Sequence, residues 1–540
     1  MDTLAVVHSR GLRGLSAPAV RVEIHLANGL PTFMIVGLPE TAVRESRERV
    51  RAALLQSGFD FPNRRITVNL APADLPKESG RFDLPIAIGI LAACGRLPTQ
   101  ALDRVEMIGE LSLSGALRPI KAALALACGL VGDKSDRSLI LPLENAAEAV
   151  LCGHPEVLGA ESLRQVCAHL EGNRLLPPEP AAPAEPGRQG EPDVARDPDS
   201  PGDRFAPLSP FQTRGLDLVD VVGQPQARRA LEVAAAGPHH LLMTGPPGTG
   251  KSMLALRLPG LLPPLTREQA LASATIASLR DKLVPGHWRE RPFRSPHHSV
   301  SVAGLIGGGQ PPRPGEISLA HHGILFLDEL PEFRRAAVEA LREPLESGRI
   351  TVARGPYSET FPADFLLVAA MNPCACGFLG DSRHACHCTQ EQVRRYRGRL
   401  SGPLLDRFDL CVDVRRGDSD HLAAPAPGPA ARESTTTVAA RVSAARLRQF
   451  NRQGKTNGAL AASELEQCLA LTADARRIAN QAARRFAWSL RGLHRTLKVA
   501  RTIADLAQRE PVDAADVAEA VGLRRQLEPV TEALDAFPAG

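Results

Sequence analysis

The sequence predicts an α/β chain. A central unit is built on a buried parallel sheet, a smaller mixed unit precedes it, and a helical unit follows. Three observations predict this. His240-Leu241-Leu242-Met243-Thr244 is a short apolar run that opens into a glycine-rich loop. Two further apolar runs, Gly323 to Leu327 and Phe365 to Met371, end in polar residues, Asp328-Glu329 and Asn372. Continuous apolar runs that stop on polar groups are strands buried on both faces of a parallel sheet, with ligand-facing residues at their carboxyl ends. From Val438 to Gly522 apolar residues recur at three- and four-residue spacing, as in Leu493, Leu497, Ala500, Ile503 and Ala504, which is helical periodicity.

The N-terminal unit spans residues 1–172. Val20 to Leu26 and Ile66 to Leu70 alternate like half-buried strands. Thr41 to Ser57 reads as a helix with a charged outer face, and Leu84 to Cys94 as a buried helix. Residues 173–212 form a linker: Pro177 to Pro210 holds ten Pro in 34 residues, too polar and kinked to build a core. The central unit is residues 213–430 and the helical unit residues 431–540.

Composition narrows the class. The chain has 540 residues, enough for three or four domains that need no disulfides. The apolar stretch Leu84 to Cys94 is too short to span a bilayer, and the N-terminus lacks a secretory pattern, so no membrane partner and a cytoplasmic location are expected. Net charge is +4, but unevenly spread: −1 on the N-terminal unit, −3 on the linker, +3 on the central unit and +5 on the helical unit. The near-neutral total therefore does not count against a polyanionic partner.

Gly245-Pro246-Pro247-Gly248-Thr249-Gly250-Lys251-Ser252 matches G-x-x-x-x-G-K-[ST], between a strand and the helical segment Met253 to Leu258. Backbone amides of such a loop cradle phosphates. Lys251 is expected to neutralise the β- and γ-phosphates and Ser252 to hold Mg²⁺. Asp328 is the second Mg²⁺ residue. Glu329 is placed to orient or deprotonate the attacking water. Asn372 is a hydrogen-bond donor for the γ-phosphate or the water, although Asn at a strand end is also a common turn residue.

These motifs resemble an AAA+ ATPase. Arg291-Pro292-Phe293-Arg294-Ser295-Pro296-His297-His298, Pro314 to Gly323, and Ser401-Gly402-Pro403-Leu404-Leu405-Asp406-Arg407-Phe408-Asp409 narrow the resemblance to the YifB/ComM family of Mg-chelatase-like AAA+ proteins. Val36 to Pro39 and Arg65 to Lys77 extend it into the N-terminal unit. The resemblance implies a Lon-protease-like (ribosomal S5 domain 2-like) N-terminal α+β domain, an AAA+ P-loop core and a C-terminal helical lid. It implies a homo-hexamer in which Arg407 is the arginine finger for the neighbour's γ-phosphate. Arg491 is the matching lid arginine, with Arg495 as the alternative. It further implies a DNA-acting helicase that drives branch migration in recombination during natural transformation. A chelatase-type motor for metal insertion is the alternative. Lon-like proteolysis is disfavoured, because Gly80-Arg81-Phe82-Asp83 stands where a nucleophilic Ser is needed and Ser79 lies further upstream. Candidate DNA contacts are Arg294, His297 and His298, and a hairpin from Arg349 to Arg354.

Cys374, Cys376, Cys386 and Cys388 follow Asn372 closely. Four thiolates are a structural Zn²⁺ complement, with spacing tighter than usual and with His384 and His387 as substitute ligands. Free thiols and a redox pair are the competing readings.

Overall fold

The computed structural model describes residues 4–524, apart from 38–40, 74, 76–79, 155, 181–214, 281–282, 356, 382 and 417–431. Most of the expected linker, and Ser79, therefore lie outside the described residues.

The N-terminal unit is a seven-stranded mixed sheet. Its strands run in the order Thr32–Val36, Arg65–Ala71, Ala19–Ala27, Leu4–Arg10, Val105–Met107, Ser138–Pro142 and Val157–Ala160. Ala19–Ala27 alternates buried and outward residues along its length, the period-2 pattern its sequence predicts. The helix Asp83–Ala93 is buried at every position and lies in the middle of the core. A Cβ on Gly89 would come within 2.1 Å of Ile24 Cδ1, so the glycine lets helix and sheet meet closely. Truncating Ile86, Ile88 or Ile90 here to Ala costs about 2–5 kcal/mol each.

At the start of this helix, Asp83 is fully buried. Its carboxylate accepts from Arg49 Nε at 2.7 Å and from the Leu111 amide at 3.2 Å. Burial pushes Asp83 above the usual carboxylate range, against the pull of Arg49. The position is a structural ion pair. Past residue 172 the chain stays on this unit. Pro178 bridges Leu158, and the Glu179 amide donates to the Val157 carbonyl, so the first residues of the expected linker edge the sheet.

The central sheet has five strands, all parallel: Phe293–Arg294, Ile324–Leu327, Leu366–Met371, Leu241–Thr244 and Leu410–Asp413. Leu366–Met371 lies between the other two motif strands. The N-terminal unit docks on this core. Helix Ala123–Gly132 packs against Arg267–Ser278, and the Ala122 amide donates to the Ser278 carbonyl at 3.0 Å. The C-terminal unit is helical from Thr435 to Arg524. Its first helix, Thr435–Gln453, starts on Asp217, whose carboxylate takes the Thr435 amide at 2.8 Å, and packs on Lys251–Leu261 through the common core. Among the described residues no helix is long and apolar enough to cross a membrane.

Candidate functional site

The phosphate loop runs from Gly245 to Gly250, between strand Leu241–Thr244 and helix Lys251–Leu261. Gly250 caps that helix at φ +89°, a conformation a side chain would strain. A Cβ at Gly245 would meet the Val414 carbonyl at 2.2 Å, so glycine is required for the loop to leave the sheet. Thr249 Oγ1 ties the loop to its own Pro246 carbonyl.

Lys251 is buried, and its ammonium donates to the carbonyls of Gly245 at 2.6 Å and Pro246 at 2.9 Å and to Asn372 Oδ1 at 3.2 Å. Burial lowers its pKa, while the charges of Asp328 and Glu329 oppose the shift. Ser252 Oγ donates to Asp328 Oδ2 at 2.6 Å. A hydroxyl and a carboxylate this close are hard oxygen donors that fit Mg²⁺. Glu329 follows in the left-handed region at φ +54°, and its amide donates to Asp328 Oδ1. A non-glycine residue held there signals a backbone over-determined by its surroundings, as at functional sites. Because Leu366–Met371 lies between the loop strand and the Asp-Glu strand, Asn372 emerges between Lys251 and the two acids. Lys251, Ser252, Asp328, Glu329 and Asn372 thus share one end of the sheet.

Two candidate DNA contacts have carboxylate neighbours. Arg294 makes two hydrogen bonds to Glu316, at 2.7 and 3.0 Å, and Glu316 is almost fully buried. The Arg294 side chain is 16% exposed and its charge is paired with Glu316. His298 Nδ1 lies 3.3 Å from Glu329 Oε2, and its ring stacks on His297 at 4.0 Å. This puts it beside the Asp328-Glu329 pair, a neighbour that sequence reasoning missed because no local signal joins residues 298 and 329. His297 Nδ1 faces Ser299 Oγ at 2.8 Å. Arg349 and Arg354 are both exposed on a two-stranded hairpin, Arg349–Arg354 paired with Tyr357–Pro362.

The arginines lie at the other end of the sheet. Asp409 and Leu410 donate their amides to the His240 carbonyl, level with the start of the loop strand. Arg407 is buried there, bonded to the Pro403 carbonyl and ion-paired with Glu346. Burial lowers its pKa, opposed by Glu346. Arg491 is exposed and reaches the same Glu346 at 3.7 Å. Arg495 is instead held by Asp409 and the Arg407 carbonyl, each at 2.8 Å. Of the two candidates in the helical unit, Arg491 keeps a solvent-facing guanidinium beside Arg407. Arg491 and Arg495 line a cleft of about 780 Å³ with Glu346, between the central and helical units.

The four cysteine sulfurs lie within 4.8 Å of one another. The substitute ligand His384 faces Arg416 at 3.1 Å and stacks on Phe378.

Three family models match the chain. Residues 217–422 match "Magnesium chelatase, subunit ChlI", residues 22–145 match "Subunit ChlI of Mg-chelatase", and residues 432–524 match its C-terminal region. The chain is 46% identical over 528 residues to the uncharacterized protein YifB of Salmonella typhimurium, covering 97% of each. It is 44% identical over 523 residues to competence protein ComM of Haemophilus influenzae, again covering 97% of each. The magnesium-chelatase 38 kDa subunit of Acidiphilium rubrum is 27% identical over 219 residues, 36% of this chain and 57% of that one. With near-full-length identity of this order and chelatase-type domains along its length, the chain belongs to the YifB/ComM family of magnesium-chelatase-like proteins.

Proposed function

We propose that the protein is an ATP-hydrolysing AAA+ ring subunit that acts on DNA, a branch-migration helicase serving recombination in natural transformation. Its cofactors are ATP and Mg²⁺, with a structural zinc ion at the four thiols. The observation that carries the reading is the division of one catalytic set between the two ends of a parallel sheet. Lys251, Ser252, Asp328, Glu329 and Asn372 stand at the carboxyl end, and Arg407 and Arg491 at the amino end. The loop strand has four residues, a rise of about 13 Å. On this reading Arg407, held in one chain by Pro403 and Glu346, is supplied to a neighbour's nucleotide in a closed homo-hexameric ring.

Within one site the loop amides and Lys251 hold the phosphates. Mg²⁺, when bound, neutralises charge on the phosphate oxygens. Glu329 orients the attacking water and takes its proton. His298 fixes the Glu329 carboxylate. The exposed Arg349–Arg354 hairpin presents cations to the phosphate backbone without reading bases. The N-terminal unit, on this reading Lon-like in fold, contributes no nucleophile at Asp83.

Identity supports this reading over a chelatase motor: the chain is 44% identical to a competence protein over 97% of its length and 27% identical to a chelatase subunit over 36%, while chelatase-type family models match all three units of the chain. The test is ATP hydrolysis with and without four-way-junction DNA, with Lys251→Ala and Glu329→Gln as controls. Junction DNA is expected to stimulate hydrolysis and to be unwound. Absence of both refutes the helicase reading.

A further inference from the structure

The loop after Asn372 carries the four thiols, and it is also the wall on which the phosphate loop leans. Cys374 Sγ lies 3.3 Å from Cys376 Sγ and 3.6 Å from Cys386 Sγ, and Cys376 and Cys386 are 3.5 Å apart. Cys388 completes a set in which every sulfur is within 4.8 Å of the others. Tetrahedral zinc with bonds of about 2.3 Å needs sulfurs roughly 3.8 Å apart, so the four are gathered at the right scale. Zinc suits the donor set, being a soft-tolerant ion with no redox chemistry of its own.

Two contacts tie this loop to Pro247 of the phosphate loop. Gly377, at φ +86°, passes so close that a Cβ would meet Pro247 Cδ at 2.8 Å and Asn372 Cγ at 3.9 Å. Arg416 donates to the Pro247 carbonyl at 3.3 Å, and the same guanidinium group pairs with Asp381 at 3.7 Å and faces His384. Asp381 and His384 both lie between the two Cys pairs. Few regular elements support this stretch: from Pro373 to Thr389 the described residues contain no helix or strand. A loop of this kind keeps its shape only if something closes it, and a metal ion closes it at the four thiols.

We infer that zinc bound by Cys374, Cys376, Cys386 and Cys388 braces the phosphate loop through Gly377 and Arg416, so that ATP affinity depends on metal occupancy. This rests on the ATP-binding role assigned to Lys251 and its loop. The metal sits outside the reaction. It fixes the wall against which Pro247 rests, and with it the end of the strand that delivers Asn372.

The full-length protein, purified under reducing conditions, is analysed for metal by mass spectrometry and for affinity toward a fluorescent ATP analogue. One zinc per chain is expected. Extraction with a chelator is expected to weaken nucleotide binding at least tenfold, and added zinc to restore it. Gly377→Ala separates brace from ligand: it is expected to keep one zinc yet bind the analogue at least fivefold more weakly. Less than half an equivalent of zinc overturns the site. Zinc present with binding unchanged on extraction and in Gly377→Ala overturns the brace alone. Zinc-loaded wild type that fails to bind the analogue overturns the ATPase reading and the brace together.

Discussion

Replacing Arg407 with Ala is expected to stop hydrolysis in a way that a different subunit can repair. In one chain the Arg407 guanidinium is buried beside Glu346 at the amino end of the sheet, and the phosphate loop begins at the carboxyl end of a four-residue strand. That strand alone separates them by about 13 Å. An arginine finger supplied by a neighbour contributes about 10³–10⁵ in kcat, or roughly 4–7 kcal/mol. Arg407→Ala should therefore fall by at least about a thousandfold while still binding ATP. Lys251→Ala should be equally inactive through lost phosphate contacts. When the two are co-expressed with different tags and mixed assemblies are isolated, some interfaces pair the intact loop of one variant with the intact arginine of the other. Random placement puts that combination at about one interface in four, so hydrolysis should return to about a quarter of wild type. Mixed assemblies that remain at the rate of either variant alone would refute action between subunits. Arg491→Ala, paired with Lys251→Ala, should behave in the same direction.

Glu329→Gln should keep ATP affinity and lose about 10²–10⁴ in kcat, read from single-turnover hydrolysis; a variant with unchanged kcat removes Glu329 from the chemistry. Arg349→Ala and Arg354→Ala should each reduce the slope of log K against log salt for duplex DNA by about 0.9, measured by fluorescence anisotropy, and an unchanged slope takes the hairpin off the DNA. His321 is buried and His240 half-buried, and both pKa values are lowered to about 4, mainly by desolvation. Each ring is neutral when folded and gains a proton on unfolding below pH 6.5, so the stability it contributes is present above pH 6.5 and lost as pH falls toward 4. Between pH 7 and pH 5 the loss is about 2 kcal/mol per ring. Urea unfolding at the two pH values should show a smaller loss in His240→Gln than in wild type, and equal losses would contradict the assignment.

The elements were legible where the signal was local. Apolar runs ending in Asp328 and Asn372 gave strands, and the loop motif sat between a strand and a helix as its spacing predicts. The alternation in Ala19–Ala27 and the unbroken apolar stretch of Asp83–Ala93 were equally plain. What escaped was pairing across long sequence separation. Nothing near Arg294 announces Glu316, and no periodicity joins His298 to Glu329 or Arg407 to Glu346. Each is a tertiary contact between polar groups, set by sheet order and register, while hydrophobic patterning reports only which face of an element is buried. A basic residue in a loop therefore reads as a nucleic-acid contact until its carboxylate partner is located. Arg349 and Arg354 are exposed, whereas Arg294 is paired with Glu316.

The sheet's strand order also bears on the proposed assembly into a ring. If the loop, the two acids and Asn372 occupied one end of the sheet and the arginines stood beside them, a lone subunit could hydrolyse ATP. The arginines stand at the opposite end, and Arg407 and Arg491 share Glu346 as their partner. In one chain that carboxylate offsets their charge and keeps Arg407 aligned while it is buried. A neighbour's γ-phosphate presents more negative charge than one carboxylate, and so competes for the same guanidinium groups. Exchange of Glu346 for phosphate would couple hydrolysis to contact between subunits, and contact between subunits to nucleotide occupancy. On this reading a basic central unit and lid, of net charge +3 and +5, gain a function only in the ring, where one pore carries the bias of every subunit.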